Sequence, residues 1–134
     1  MTVGVMIISH DAVGSSLFDA ASGMLGMCPL QVELIAVRRG DDPEWLRTQA
    51  RHALQRLSQG DGVLVLTDMY GSTPSNIVST LLDSPNVRAI AGLNLPMLVR
   101  ILNYPRLSLS ELVKKAVEGG REGVMTWDFA AEAK

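Results

Sequence analysis

Two polar segments follow apolar runs in this chain, and they contain the side chains best suited to chemistry. The segment IISHDAVGSS, residues 7–16, places His10 where an apolar run ends. The segment LVLTDMYGSTPSN, residues 64–76, places Asp68 in the same position after a second run. An imidazole at such a place can be structural, bind a metal, move a proton or carry a phosphoryl group. Position alone favours a structural role for His10, so the surrounding elements have to be considered.

Short apolar segments predict the strands that would position these residues. Residues 3–8, 32–37 and 63–67 form the strong candidates, and residues 87–91 and 124–127 form weaker ones. The strong candidates are rich in β-branched residues and hardly alternate with polar ones. That pattern is typical of parallel strands covered on both faces.

Helical patterns lie between the predicted strands. They cover residues 15–27, 44–58, 73–82 and 96–103, and a capping box at Ser108 and Glu111 opens a fifth helix. We expect the fifth helix to end near Gly119 and Gly120. Strands alternating with helices predict an α/β doubly wound sheet.

Composition restricts the class of protein. The chain has 134 residues, of which 47% are hydrophobic and 19% charged, with a formal net charge of -2. These values predict one globular domain, and we expect it to cover residues 1–128, with a frayed tail over residues 129–134. No basic stripe favours nucleic acid, and no apolar run suits a membrane span or a signal peptide. A single cysteine, Cys28, excludes an internal disulfide. We therefore predict a soluble, cytoplasmic protein.

Topology would bring the two polar segments together. In an open parallel sheet, ligands bind beyond the carboxyl ends of strands, where the chain connections diverge. If the first and third strands are neighbours, as in flavodoxin-like sheets, His10 and Asp68 meet there as hydrogen-bond partners. A carboxylate on Nδ1 would fix the imidazole tautomer and leave Nε2 as a nucleophile.

A turn of small residues adds possible anion donors to the same crevice. The N–H groups of Ser72 and Thr73, with the Thr73 hydroxyl, would begin a helix and attract an anion. An imidazole, a carboxylate and phosphate donors together suit phosphoryl transfer through a phosphohistidine.

Other interpretations remain open for each residue. Asp68 can be a turn former, and Thr73 can simply begin a helix. A metal site from His10, Asp11 and Asp68 lacks any HxH or HExxH spacing, and a serine hydrolase lacks a GxSxG elbow. His52 lies opposite the apolar stripe of its helix, which indicates a solvated surface residue.

Four segments in order resemble the enzyme IIA domain of the mannose family of the bacterial phosphoenolpyruvate-dependent phosphotransferase system (PTS). They are VMIISHDAVGSSL, GVLVLTDMYGSTPSNI, AGLNLPMLVR and AVEGGREGV, which together span residues 5–124. The resemblance implies a flavodoxin-like sheet of four parallel strands in the order 2-1-3-4. It also implies an antiparallel C-terminal edge strand, residues 124–127, exchanged between the subunits of a homodimer.

The same resemblance implies a role for each site residue. His10 would be the phosphoryl acceptor and donor, Asp68 would orient it, and Gly71, Ser72 and Thr73 would bind the phosphate. The donor would be phosphohistidine on the carrier protein HPr, and the acceptor a histidine of a separate IIB protein, since we expect no fused IIB domain. No metal or organic cofactor is implied. Peripheral association with a IIC/IID transporter would be the contact with the membrane.

Two departures from the family pattern concern this site. Asp11 stands where the family usually has glycine, and we expect its side chain to point away from the crevice. The usual Gly-Gly-Ser-Pro becomes Gly71-Ser72-Thr73-Pro74, where Ser72 restricts the backbone more than glycine would.

The sequence leaves four functions to compare. The first is a phosphocarrier in sugar uptake, and the second is a regulatory PTS protein whose His10 phosphorylation is a signal without transport. The third is the phosphotransfer subunit of a dihydroxyacetone kinase, which AGLNLPMLVR fits less well. The fourth is a dimeric scaffold without catalytic activity.

Overall fold

A computed structural model describes residues 2–128 and has a four-stranded parallel sheet at its centre. The strands are β1 (Gly4–His10), β2 (Val32–Val37), β3 (Val63–Thr67) and β4 (Val87–Ala91), and their order in the sheet is β2-β1-β3-β4. This confirms the predicted α/β fold and strand order. The bounds of β2, β3 and β4 agree with those predicted, and β1 continues as far as His10.

Five helices connect and cover the strands. They are α1 (Val13–Leu25), α2 (Pro43–Leu57), α3 (Thr73–Ser79), α4 (Leu95–Leu102) and α5 (Leu109–Glu122). The predicted capping box is present, because Ser108 Oγ accepts from the Glu111 N–H while the Glu111 carboxylate accepts from the Ser108 N–H. α3 is three residues shorter than predicted, since a series of turns follows Ser79.

The central strands β1 and β3 are buried on both faces of the sheet, which explains why they do not alternate with polar residues. On one face, Val5 and Ile7 of β1 belong to an apolar core with residues of α1, α4 and α5. On the other face, Met6 and Ile8 belong to a second core with residues of α2 and α3. Burial on both faces leaves the ends of the strands as the place where polar side chains can reach solvent.

Helix α5 corrects one prediction. It does not end near Gly119 and Gly120 but continues to Glu122, and both glycines are buried within it. A β-carbon on Gly119 would lie 2.6 Å from Cβ of Arg100, and one on Gly120 would lie 2.9 Å from Cε of Met97. The two glycines therefore allow α5 to pack closely on α4, which is a different use of glycine from ending a helix.

The chain after α5 has no regular secondary structure in residues 124–128. Val124 and Met125 are 77% and 75% exposed there. The predicted edge strand is not formed within this single chain, and its exchange between subunits stays a prediction. The predicted frayed tail, residues 129–134, lies outside the described residues. Across residues 2–128, no helix is long and apolar enough to cross a membrane.

Candidate functional site

The candidate site lies where the chain leaves the sheet in opposite directions. β1 and β3 are neighbours, with Ile8 beside Thr67 in the register, so His10 and Asp68 follow at the same edge of the sheet. From there α1 packs on one face of the sheet and α3 on the other. A crevice opens at such a switch point, as in other open α/β sheets.

Two contacts hold the Asp68 carboxylate against His10. Oδ2 of Asp68 lies 2.9 Å from Nδ1 of the His10 ring and accepts the His10 backbone N–H at 3.0 Å. The other oxygen, Oδ1, is buried and accepts no hydrogen bond from residues 2–128. The His10 side chain is 45% exposed, whereas the Asp68 side chain is only 13% exposed. The carboxylate therefore holds the ring from the less exposed side, and the imidazole is the part of the pair that solvent can reach.

The environment of Asp68 favours its ionised form. Partial burial raises the pKa of this carboxyl, but its interactions with the His10 ring and backbone lower it by more. The net pKa therefore lies below the ordinary value for aspartate. An ionised carboxylate can only accept, so it selects the His10 tautomer that carries its proton on Nδ1. Nε2 then holds the lone pair and can act as a nucleophile.

The loop over residues 69–73 lies beyond the end of β3. The first hydrogen bond of helix α3 is donated by the Asn76 N–H to the Ser72 carbonyl at 2.9 Å. The N–H groups of Ser72 and Thr73 therefore have no partner inside α3. The Gly71 N–H is already engaged, since it donates to Ser75 Oγ at 3.2 Å. Of the three predicted loop donors, Ser72 and Thr73 are therefore the ones that this arrangement leaves for a ligand.

Serine at position 72, where the family usually has glycine, causes no backbone strain. Ser72 is the N-cap of α3 with φ of -102°, an extended conformation that any residue can adopt. The left-handed residue of this loop is Gly71, with φ of 80°. Ser72 instead uses its hydroxyl, which donates to the Met69 carbonyl at 2.6 Å and stabilises the loop.

Asp11 has an unusual backbone conformation beside His10. Its φ is 46°, and its N–H donates to the Val37 carbonyl at 3.0 Å. This left-handed conformation suits the glycine that the family usually has at position 11. Aspartate is among the few other residues that tolerate it. Asp11 is among the residues that line the cleft of His10, and the direction of its side chain stays a prediction.

The cleft beside His10 has a volume of about 470 Å³. Its lining comes from the ends of β1 and β2, the loop after β2 and the starts of α2 and α3: His10, Asp11, Val37, Arg38, Arg39, Gly40, Asp41, Pro43 and Thr73. The sequence analysis did not identify Arg38, Arg39 or Asp41 as part of the site. A sequence pattern could have identified them, because the charged segment RRGDD, residues 38–42, directly follows the strand that pairs with β1.

The remaining sequence candidates lie away from this cleft. His52 is exposed on α2, as predicted. Cys28 is also exposed, and its thiol donates to the Leu30 carbonyl at 3.2 Å. Within residues 2–128, no group of three histidine, cysteine or acidic side chains is placed to hold a metal ion.

A family model described as "PTS system fructose IIA component" matches residues 4–117. The chain is 36% identical over 127 residues to the PTS system mannose-specific EIIAB component of Escherichia coli, an alignment covering 92% of this chain and 39% of that protein. It thus spans about two fifths of the length of that relative. It is also 27% identical to the PTS system fructose-specific EIIA component of Bacillus subtilis, covering 83% of this chain and 77% of that protein.

Solved structures show the same fold. The mannose/sorbose-specific IIA subunit from Enterococcus faecalis superimposes with a TM-score of 0.85 at 23% identity, covering 96% of this chain and 97% of that one. A phosphotransferase system component EIIA from Streptococcus agalactiae gives a TM-score of 0.78 at 26% identity, covering 96% and 98% of the two chains.

Proposed function

The chain belongs to the mannose-type family of PTS IIA components, and from that premise we propose that it is a phosphocarrier with His10 as the phosphorylated residue. The observation that carries the proposal is the contact of 2.9 Å between His10 Nδ1 and Asp68 Oδ2, with the ring 45% exposed. A partly buried carboxylate holds one nitrogen while the other is left to react. Such an arrangement suits a nucleophile that must take up and release the same group.

The proposed transfer is a displacement at phosphorus. The Nε2 lone pair of His10 forms the new N–P bond, and the N–P bond of the donor phosphohistidine breaks. The donor imidazole leaves with that electron pair. The ring of His10 gains positive charge while Nδ1 keeps its proton, and the carboxylate of Asp68 stabilises that charge. Reversing the step passes the phosphoryl group to the next histidine.

The phosphoryl oxygens need donors at the open side of the ring. We propose the N–H groups of Ser72 and Thr73 and the Thr73 hydroxyl for this role, with the dipole of α3 adding a smaller contribution. Thr73 lines the cleft together with His10, which supports this placement. Gly71 would support the loop through its left-handed turn, since its N–H is engaged with Ser75.

The donor in this proposal is phospho-HPr, and the acceptor is a IIB protein that serves sugar uptake. The first test incubates the protein with enzyme I, HPr and phosphoenolpyruvate labelled with ³²P. We expect one acid-labile label per chain, which then moves to a IIB protein of the mannose type. His10→Ala should remove the label.

The chain supplies its own control for this test. His52 is the only other histidine and is exposed on α2 outside the cleft, so His52→Ala should keep the full label. Label that survives in the His10 variant, or wild-type protein that takes up none, contradicts the carrier function. Label that reaches His10 but is not passed to any IIB protein favours the regulatory role instead.

We also propose that residues 124–127 form the exchanged edge strand of a homodimer. The support is twofold: β4 is an outer strand of the sheet, and Val124 and Met125 expose large apolar side chains directly after α5. Light scattering at micromolar concentration should give the mass of a dimer, and removal of residues 124–134 should give a monomer. A monomeric full-length chain would contradict the exchange.

A further inference from the structure

Two arginines share the cleft of His10 and form no ion pair with any residue of the described range 2–128. Val37 pairs with His10 in the parallel register of β1 and β2, so Arg38 and Arg39 follow at once beyond that strand end. Both line the cleft of His10. Four other arginines form ion pairs: Arg47, Arg51, Arg56 and Arg100. Within residues 2–128, neither Arg38 nor Arg39 forms an ion pair.

The backbone that carries the two arginines is fixed by a tight turn. The Asp41 N–H donates to the Arg38 carbonyl at 3.1 Å, and the Arg38 N–H donates to Asp41 Oδ2 at 2.8 Å. Gly40 has φ of 89° at the third position, which makes this a type II turn with Arg39 at its tip. The backbone at both arginines is therefore held beside the cleft, which lowers the backbone entropy lost when they bind a ligand.

The charges of the cleft show why cations are needed there. Asp11 and Asp41 line it, and the Asp68 carboxylate lies behind the His10 ring. Three carboxylates would repel a dianionic phosphoryl group on Nε2. Two guanidinium groups on the same cleft offset that repulsion, and their planar fork of N–H donors matches phosphate oxygens.

We propose that Arg38 and Arg39 form a second phosphoryl-binding element, opposite the loop of Ser72 and Thr73, that holds the phosphoryl group carried on His10. This inference rests on the proposed phosphocarrier function. The ligand is a phosphate monoanion or dianion, whether free or bound to a histidine nitrogen. Because β2 and β3 lie on opposite sides of β1, the phosphoryl group would be held from both sides.

The first test titrates inorganic phosphate into the protein and follows the ¹⁵N signals of the His10 ring by NMR. The test variant is Arg38→Gln with Arg39→Gln. The matched control is Arg88→Gln with Arg106→Gln, which removes the same charge from two exposed arginines. In the sheet, Arg88 is in register with Leu64 and Leu64 with Val5. Arg88 is therefore level with a residue five positions before His10, away from the strand ends that form the cleft.

We expect phosphate to bind at least about 10-fold more weakly to the test variant, because it loses charge-assisted hydrogen bonds. The control should bind as the wild type does. A double Arg→Lys variant at positions 38 and 39 should give an intermediate affinity, since lysine keeps the charge but lacks the fork. Equal affinity in the test variant and the control, or wild-type signals that do not respond to phosphate, would overturn the proposal.

The second test measures phosphorylation of His10 by phosphoramidate, a small donor that needs no protein partner. We expect the initial rate in the test variant to fall by a factor of about 10, with unfolding by urea unchanged from the control. If the carrier function itself is wrong, neither phosphoramidate nor phospho-HPr labels His10 in any form of the protein. If only the role of the arginines is wrong, His10 is labelled at the same rate with and without them.

Discussion

Two loops flank His10, and they differ in chemistry. The loop after β2 carries Arg38 and Arg39, which form no ion pair within residues 2–128, on a turn closed by two hydrogen bonds between Arg38 and Asp41. The loop after β3 begins at Asp68 and then exposes two large apolar side chains, Met69 at 64% and Tyr70 at 85%. One loop therefore suits an anion, whereas the other supports the imidazole and presents a surface that a protein partner can cover.

This difference separates two requirements of a phosphocarrier. The phosphoryl group has to be held whichever molecule delivers it, and the partner has to be recognised before it delivers anything. If each loop serves one requirement, a small phosphoryl donor and a protein donor will respond differently to changes in the two loops. The expected effects below run from the largest to the smallest.

Asp68→Asn tests the residue of the loop after β3 that contacts the His10 ring. Asparagine keeps the size of the side chain but loses the charge that stabilises the phosphorylated ring, so we expect both donors to react about 10- to 100-fold more slowly. Rapid quench with phosphoramidate and with phospho-HPr measures the two rates. Unchanged rates would remove Asp68 from the mechanism, and a loss with phospho-HPr alone would mean that it acts on docking.

Tyr70→Ala tests partner recognition. Exposed tyrosines often contribute strongly to interfaces, so we expect KM for phospho-HPr to rise about 10-fold while the rate with phosphoramidate stays the same. Tyr104→Ala, in the loop after α4, is the matched control. Equal losses with both donors would show that the loop after β3 acts on the chemistry rather than on the partner.

Asp11→Asn also tests the electrostatics of the cleft. It removes a negative charge, whereas the arginine variants remove positive charges. Asparagine tolerates the same left-handed backbone, while the negative charge is lost. We expect phosphate to bind about 3-fold more tightly, as a charge at several ångströms in a wet cleft is worth less than 1 kcal/mol. The NMR titration described above measures it. Weaker binding would mean that Asp11 itself positions an arginine.

Acid stability should show the smallest effect. The pKa of Asp68 lies below its ordinary value in the folded protein, so folding favours the ionised form. That contribution is complete above the unfolded pKa of about 3.9 and is lost as the pH falls through the lower folded value. Urea unfolding at pH 7 and at pH 3 should show wild type and Asp68→Asn differing more at pH 7. A gap that widens at pH 3 would contradict this sign.

Much of the fold could be predicted because buried parallel strands leave a clear local pattern. The bounds of β2, β3 and β4 and the capping box at Ser108 follow from runs of β-branched residues and from one spacing of Ser and Glu. The end of α5 could not be predicted in the same way. Gly119 and Gly120 look like a helix end in the sequence, and only the close packing of α4 shows why they lie inside the helix.

The same division applies to the site. The sequence by itself determined that a histidine and an aspartate would each follow a buried strand, because residue types and apolar runs are local properties. Only the tertiary structure decided that Oδ2 of Asp68 would lie 2.9 Å from the His10 ring and that Arg38 and Arg39 would share its cleft. The order of strands in a sheet depends on how helices cover both faces at once. Residues 28 or 58 positions apart therefore become neighbours only when the whole chain has packed.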